Sequence, residues 1–297
     1  MELHQLRYFV AVAEEGSFTR AAERCSVSQP ALSQQIGKLE GELGRPLFDR
    51  TGRKVALTEI GVAFLDEARA VLGALDHAQE RMRQLRTDDG GAVALGVIPT
   101  VAPYLCPPLL VAFARDHPRV EVVLHEDFTE RVLPACLAGD LDLVVCALPV
   151  EDARLHVEPL FTEELLLVVP TAHRLAKVAR PTVDQFAGEP FVVLNDLHCL
   201  GQQTVAFCHQ PDFHPPIRCR TAQLTTVLQL VALGHGLSLI PAMAVASATP
   251  DGWVARPLAP EPPRRTICLV WRKERYQGRA VRALIAALRD EAGRRSG

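Results

Sequence analysis

The sequence predicts an α/β protein preceded by a small helical domain, and three observations carry that reading. The first 60 residues hold short runs with apolar side chains at helical spacing. Residues 58–86 hold a longer run whose apolar positions recur in steps of four and three. After residue 91, short apolar stretches alternate with helical patterns, as in a doubly wound sheet whose faces are covered by helices.

In "LRYFVAVAEEG", Leu6, Phe9, Val10 and Ala13 share a helical face, and Gly16 ends the run. "SFTRAAERCSV" begins at a capping Ser17 and turns Ala21, Ala22 and Val27 inward. "SQPALSQQIGKLEGELG" begins at Ser28, with Pro30 in the first turn, where its missing N–H has no intrahelical partner to lose. It directs Ala31, Leu32, Ile36 and Leu39 to a core. Two short helices joined by a tight turn, the second polar on its outer face, describe a helix-turn-helix. "GRPLFDRTGRKVALTEIG" then gathers Arg45, Arg50, Arg53 and Lys54 around a turn at Gly52, before a short strand "KVALT". This predicts a basic β-hairpin wing. Residues 1–60 carry eight basic and eight acidic side chains, so the positive charge is local to the wing.

Thr58 caps a helix running to about Arg86. Its apolar positions are Phe64, Ala68, Val71, Leu75, Ala78, Met82 and Leu85, a heptad seam. The seam predicts a two-helix dimer contact; the alternative is packing on its own domain. "RTDDGG", residues 86–91, is a polar, glycine-ended linker. The candidate strands beyond it are "AVALGVI", "VEVVLHE", "LDLVVCAL", "ELLLVV", "PFVVL", "IRCRT", "LSLIP" and "TICLVW". Their length suits two lobes around a cleft, and such sheets bind ligands in a crevice at strand ends.

The 297 residues are 48% apolar with a net charge of −3, which argues against a protein that coats nucleic acid nonspecifically. The start "MELHQLRYFV" lacks a basic segment followed by an apolar one, so no signal peptide is expected. No apolar run approaches the roughly 18 residues of a membrane span. The expected location is cytoplasmic, with no membrane partner. In that compartment the eight cysteines should be mostly reduced: Cys25, Cys106, Cys136, Cys146, Cys199, Cys208, Cys219 and Cys268. No CxxC pair or Cys/His cluster with zinc spacing occurs, so no metal and no cofactor are expected. Cys146 in "LDLVVCAL" and Cys268 in "TICLVW" read as small buried core residues.

"HCLGQQTVAFC" poses a sharper question. Cys199 and Cys208 stand nine residues apart, with His198 before the first. They can be core residues, metal ligands or a thiol pair. In a helix they would lie about 13 Å apart on nearly opposite faces. A disulfide needs Cα atoms within about 7 Å, so bridging requires the segment to refold.

"LRYFVAVAEEGSFTRAAERCSVSQPALSQQIGKLEGELGRPLFDR" resembles the N-terminal signature of LysR-type transcriptional regulators. "GVIPTVAPYLCPPLL", "HEDFTERVLPACLAGDLDLVVCAL", "HCLGQQTVAFC", "LVALGHGLSLIPAMAV" and "EPPRRTICLVWR" resemble the peroxide-sensing OxyR subfamily. The resemblance implies a winged helix-turn-helix at residues 1–58 and a linker or dimerisation helix at 59–90. It implies a two-lobed effector domain, similar to periplasmic binding proteins, at 91–297, with lobe I at 91–162 and 268–297 and lobe II at 163–267. It further implies that Cys199 is the thiol oxidised by hydrogen peroxide, Cys208 the one that condenses with it, and His198, Thr100 and Thr129 matching site residues. On the DNA side it implies that Gln29, Pro30, Ser33 and Gln34 present the recognition helix while Arg50, Arg53 and Lys54 reach phosphates. The implied partners are an operator in double-stranded DNA, a second copy of the chain within a dimer of dimers, and RNA polymerase; the implied role is activation of oxidative-stress genes, not enzymatic. Three departures stand out. The subfamily has glycine before H-C and commonly Arg-Asp after H-C-L, where this chain has Leu197, Gly201 and Gln202. Cys219, between Arg218 and Arg220, replaces an aromatic residue and is expected to point away from both arginines, into the core. Two alternatives remain: a LysR-type regulator of a small organic effector with incidental cysteines, and a thiol peroxidase or other α/β enzyme.

Overall fold

The computed structural model describes residues 1–49, 55–86, 91–208 and 215–296. The chain forms two compact units, one of Met1–Arg86 with Leu137–Asp140, the other of Thr87–Cys136 with Leu141–Gly297.

The first unit contains α1 (Leu3–Glu15), α2 (Phe18–Arg24), α3 (Gln29–Leu43), a hairpin of β1 (Phe48–Asp49) and β2 (Ala56–Leu57), and α4 (Glu59–Arg86). Gly16 ends α1 in the left-handed conformation at φ 59°, where a Cβ would cost energy. Ser17 and Ser28 cap α2 and α3 by accepting from the N–H groups of Arg20 and Ala31. Between those helices Ser26 takes a positive φ of 57°, and the Val27 N–H returns to the Ala22 carbonyl at 3.0 Å, closing the tight turn. Leu6, Phe9, Val12, Ala21, Leu32, Ile36, Leu39 and Leu47 form the core. Phe9 sits between Phe48 and Phe64, ring centroids 5.3 and 5.2 Å away. Ala31 is exposed, contrary to the sequence expectation. It lies one residue, about 100° of helix, off the stripe of Leu32, Ile36 and Leu39. The Glu40 carboxylate accepts from the N–H groups of Leu47 (2.8 Å) and Phe48 (3.3 Å) and so fixes the entry to the hairpin.

Thr58 caps α4, its hydroxyl accepting from the Gly61 N–H at 3.0 Å. The seam along α4 divides. Ala68 is buried and Phe64 partly buried against the unit's own core, joined there by Leu65 and Leu72. Val71 and Met82 are 45% and 55% exposed, and Ala78 is exposed too. The first turns therefore pack on their own domain, and the later positions leave an apolar face open.

The second unit runs β3 (Gly91–Val97), α5 (Ala102–Asp116), β4 (Val120–Glu126), α6 (Thr129–Ala138), β5 (Leu143–Ala147), β6 (Leu155–Pro170), β7 (Phe191–Leu194), α7 (Cys199–Cys208), β8 (Ile217–Thr221), α8 (Leu224–Ala232), β9 (Ser238–Pro241), α9 (Ala242–Ser247), β10 (Trp253–Arg256), β11 (Arg264–Arg272) and α10 (Arg279–Ser296). Each candidate strand of the sequence is a strand here; β10 and the first half of β6 are additional. One sheet has the order β4-β3-β5-β11-β6, parallel through β4, β3 and β5 and antiparallel at β11. The long β6 pairs with β11 over Leu155–Glu164 and then continues into a second lobe, pairing with β9 and β10 over Leu165–Pro170. The parallel pair β7-β8 completes that lobe. The apolar strands are not all covered on both faces as expected: β4 is an edge strand, with Val123 and Leu124 38% and 37% exposed. Among the described residues no helix is long and apolar enough to cross a membrane.

Candidate functional site

The site is built where β6 and β11 cross between lobes. Strand residues alternate faces, so in the register Arg265↔Glu163 both side chains turn inward, while Arg264↔Glu164 and Thr266↔Thr162 turn out. The Arg265 side chain is fully buried and its Glu163 partner is 7% exposed, the ion pair measuring 2.8 Å. Every arm of the pair is bonded. Arg265 Nε donates to Glu163 Oε1 at 2.9 Å, and the Met243 N–H donates to Glu163 Oε2 at 2.9 Å. Arg265 Nη1 donates to Thr100 Oγ1 at 2.8 Å and Nη2 to the Thr100 carbonyl at 3.1 Å. A buried charge survives only when paired and hydrogen-bonded in this way.

Three segments meet around this arginine and the Cys199 thiol: the turn after β3 brings Thr100 to the arginine, the start of α7 brings Cys199, and the start of α6 brings Thr129 to Cys199. Cys199 is partly buried. Burial pushes its thiol above the ordinary cysteine value of 9.0. The Arg265 charge, the Thr129 hydroxyl and the N–H groups of Leu200 and of Cys199 itself, at the positive end of α7, act in the opposite direction. Burial prevails, so the resting group is a thiol. Thr129 Oγ1 lies beside the sulfur, yet among the described residues it is buried without a hydrogen bond of ordinary geometry. Gln203 Oε1 is in the same condition. It lies four residues after Cys199, on the same face of α7, and its Nε2 donates to the Leu148 carbonyl across the cleft at 3.3 Å. Neither Arg265 nor Gln203 was singled out from the sequence.

His198 is 4% exposed, and its Nε2 pairs with the Ala222 carbonyl at 2.8 Å. Its ring stands edge-on to Phe128, and burial lowers its pKa, so it is a neutral group holding the start of α7 in place. Cys208 closes α7, 1% exposed, its pKa pushed by burial to about 12. The two cysteines are free thiols at opposite ends of one helix, about 13 Å apart by its rise. Gly201 is buried, and a Cβ there would press against the Asn195 carbonyl and lie 2.7 Å from that of Leu194. Cys219 is partly buried between exposed Arg218 and Arg220, as alternation on β8 requires. Among the described residues, no cluster of three His, Cys, Asp or Glu side chains is placed to hold a metal.

The raised thiol has a kinetic consequence. Peroxide reacts with the thiolate, whose fraction grows about tenfold per pH unit below the pKa. The rate constant for oxidation of Cys199 is therefore expected to climb by close to that factor per unit from neutral pH towards 9, as read by stopped-flow or quenched alkylation. A flat profile over that window would place the pKa below neutrality and contradict the dominance of burial.

At the other end of the chain, α3 presents Gln29, Pro30 and Gln34 exposed and Ser33 partly buried near its N-terminal end, while Leu32, Ile36 and Leu39 are buried. Such a face can enter a major groove and hydrogen-bond base edges. Arg50, Arg53 and Lys54 of the expected wing lie outside the described residues.

Comparison with known proteins places both halves. Residues 3–62 match the bacterial regulatory helix-turn-helix protein, lysR family, and residues 86–293 match the LysR substrate binding domain. The chain is 39% identical over 291 residues to the DNA-binding transcriptional dual regulator OxyR of Escherichia coli K12, covering 95% of each chain. It is 36% identical to the hydrogen peroxide-inducible genes activator of Haemophilus influenzae, over 92% of this chain and 91% of that one. The structure is similar to full-length OxyR from Pseudomonas aeruginosa, with a TM-score of 0.77, 31% identity and coverage of 97% and 95%. Full-length CbnR in complex with its target DNA gives a TM-score of 0.68 at 25% identity, covering 98% of this chain and 100% of that one. The chain belongs to the LysR family of bacterial transcriptional regulators, within its OxyR branch.

Proposed function

We propose that this chain is a cytoplasmic, DNA-binding transcriptional regulator that senses hydrogen peroxide through Cys199. The observation that carries the reading is the set of groups around one thiol: the Arg265 charge, the helix N-terminus, the Thr129 hydroxyl, and on the same helix face the Gln203 oxygen, both oxygens buried without a well-formed hydrogen bond among the described residues. Unpartnered buried oxygens are costly unless a small polar molecule visits them. Peroxide, which both donates and accepts hydrogen bonds, has the size and chemistry to do so. The thiolate attacks one peroxide oxygen, the sulfenic acid forms, and the Cys208 thiol condenses with it, releasing water. Because α7 holds the two sulfurs apart, the bond forms only as α7 unwinds. That refolding is the two-state element passed to the DNA-binding half. Mapping of disulfide-linked peptides, without reduction, from peroxide-treated protein tests the reading: a Cys199–Cys208 linkage supports it, and reduced Cys199 with another cysteine oxidised refutes it. The nearest competitor, an organic effector in the cleft, would leave both thiols untouched.

We assign residues 1–58 to DNA binding, 59–90 to the linker and 91–297 to sensing, with Gln29, Pro30, Ser33 and Gln34 facing bases and Arg50, Arg53 and Lys54 facing phosphates. The working form is a dimer or a dimer of dimers on an operator, in contact with RNA polymerase. The exposed stretch of α4 supports the dimer. Replacing Val71 and Leu75 together by glutamate is expected to halve the mass seen by light scattering, or to break it down to monomer. An unchanged mass would rule out the α4 seam as the contact.

A further inference from the structure

Behind the Cys199 thiol, in the sheet of lobe I, two more cysteines stand side by side. Cys146 on β5 and Cys268 on β11 are Cα partners in an antiparallel ladder. Both are fully buried, and their sulfurs are 3.8 Å apart. Antiparallel partners have Cα atoms about 4.5 or 5.5 Å apart, inside the window of about 4.4–6.8 Å that a disulfide spans. Closing this bond therefore needs only side-chain rotation and a small approach of the strands, whereas Cys199 and Cys208 need a helix to unwind. The pair also neighbours the sensing thiol. The Cys268 contact and burial raise the Cys146 pKa, and the Cys199 charge is felt there as well. Gln203, on the Cys199 face of α7, donates to the Leu148 carbonyl two residues beyond Cys146. Within the pair the two thiols share a hydrogen bond, and the Cys268 thiol also reaches the Cys146 carbonyl at 3.4 Å.

We propose that Cys146 and Cys268 are a second redox couple, oxidised by relay from Cys199 to a cross-strand disulfide inside lobe I. The proposal rests on the reading of Cys199 as the peroxide-reactive thiol. Hydrogen peroxide gives Cys199 its sulfenic oxygen; the O–O bond breaks and the other oxygen leaves as water. The Cys146 sulfur attacks the Cys199 sulfur, an S–S bond forms, the S–O bond breaks, and the hydroxyl leaves as water with the Cys146 proton. Cys268 then attacks Cys146, its proton passing to the Cys199 sulfur, which is released as a thiol. One peroxide is reduced to two waters, two cysteines are oxidised, and Cys199 is returned reduced with α7 still folded. The couple thus consumes oxidant without throwing the switch, and sets a threshold below which peroxide does not alter DNA binding.

The test uses the full chain carrying Cys208→Ser, so that the competing condensation is absent. It is titrated with stepwise equivalents of hydrogen peroxide in the presence of dimedone, quenched in acid, alkylated under denaturing conditions and mapped without reduction. The expected result is a Cys146–Cys268 linked peptide at the first equivalents, with the dimedone adduct of Cys199 appearing only once that pair is filled. Adding Cys146→Ala should raise the early Cys199 adduct several-fold, and adding Cys199→Ser should remove the linked peptide. If the Cys146→Ala chain does not fold, Cys268→Ala serves instead and should stop at a mixed Cys146–Cys199 disulfide. Oxidised Cys199 with Cys146 and Cys268 both alkylated overturns this proposal alone. A linked peptide that forms equally fast with Cys199→Ser overturns the relay. An unreacted Cys199 overturns the peroxide-sensing reading itself, and the relay with it.

Discussion

Replacing Arg265 by alanine is expected to lower the stability of the second unit by about 3–5 kcal/mol, the usual cost of removing one partner of a buried ion pair. Glu163 would be left as a buried carboxylate with the Met243 N–H, and Thr100 would lose both of its contacts. The urea midpoint should fall with little change in slope, since the surface exposed on unfolding stays the same. Arg265→Lys keeps the charge but not the fork of donors that reaches Glu163 and Thr100 together, so it should recover only part of the loss. The same variants should slow oxidation of Cys199, because the arginine is the principal charge favouring its thiolate. Full stability in the alanine variant would show that the pair is balanced by its own desolvation. Slow oxidation at unchanged stability would isolate its action on the thiol.

Cys199→Ser is expected to abolish the peroxide-dependent change in the DNA footprint while leaving DNA binding by the reduced form intact, since the winged domain is built on its own core. Cys208→Ser should lose the footprint change as well, because no second sulfur remains to pull α7 open. Cys219→Ser should respond as the unaltered chain does: its sulfur lies partly buried on β8, on the face opposite its two arginines. A footprint change that survives in Cys199→Ser and disappears in Cys219→Ser would move the sensor to the other lobe. Footprinting under matched oxidised and reduced conditions separates these outcomes.

The helical half was readable from residues because its signals are local. Ser17, Ser28 and Thr58 are caps, Gly16 is a stop, and Leu32, Ile36 and Leu39 make one stripe. The family resemblance rested on the same stretch and on five stretches of the second half, the Cys199 segment among them. What escaped depends on long-range register. "EPPRRTICLVW" shows two adjacent arginines, and which of them faces inward is decided by pairing with β6, a strand whose first half, "LHVEPLF", has no clear apolar pattern. Gln203 was passed over because a glutamine in a helix carries no signal until its oxygen is found buried and unpartnered. Cys146 and Cys268 read as core, and are buried as expected; their alignment across the ladder is set by residues 122 positions apart. The seam of α4 was real as a pattern but serves two surfaces, since periodicity does not say where one partner ends and the next begins.

Gly201 carries a consequence for how such a site can change over generations. The family resemblance implies an arginine where this chain has no side chain at all, and here the carbonyls of Leu194 and Asn195 occupy the room a side chain would need. That backbone is in turn committed, the Asn195 N–H to the Thr221 carbonyl at 2.8 Å and its carbonyl to the His198 N–H at 3.1 Å. A descendant placing an arginine here by one codon change would unseat α7 before gaining any charge beside the thiol. The order of steps is thus constrained: the 194–195 segment has to retreat first and the side chain follow. Until it does, selection on peroxide sensitivity in this lineage has to work through other residues, with Arg265, Thr129 and the burial of Cys199 as the available dials.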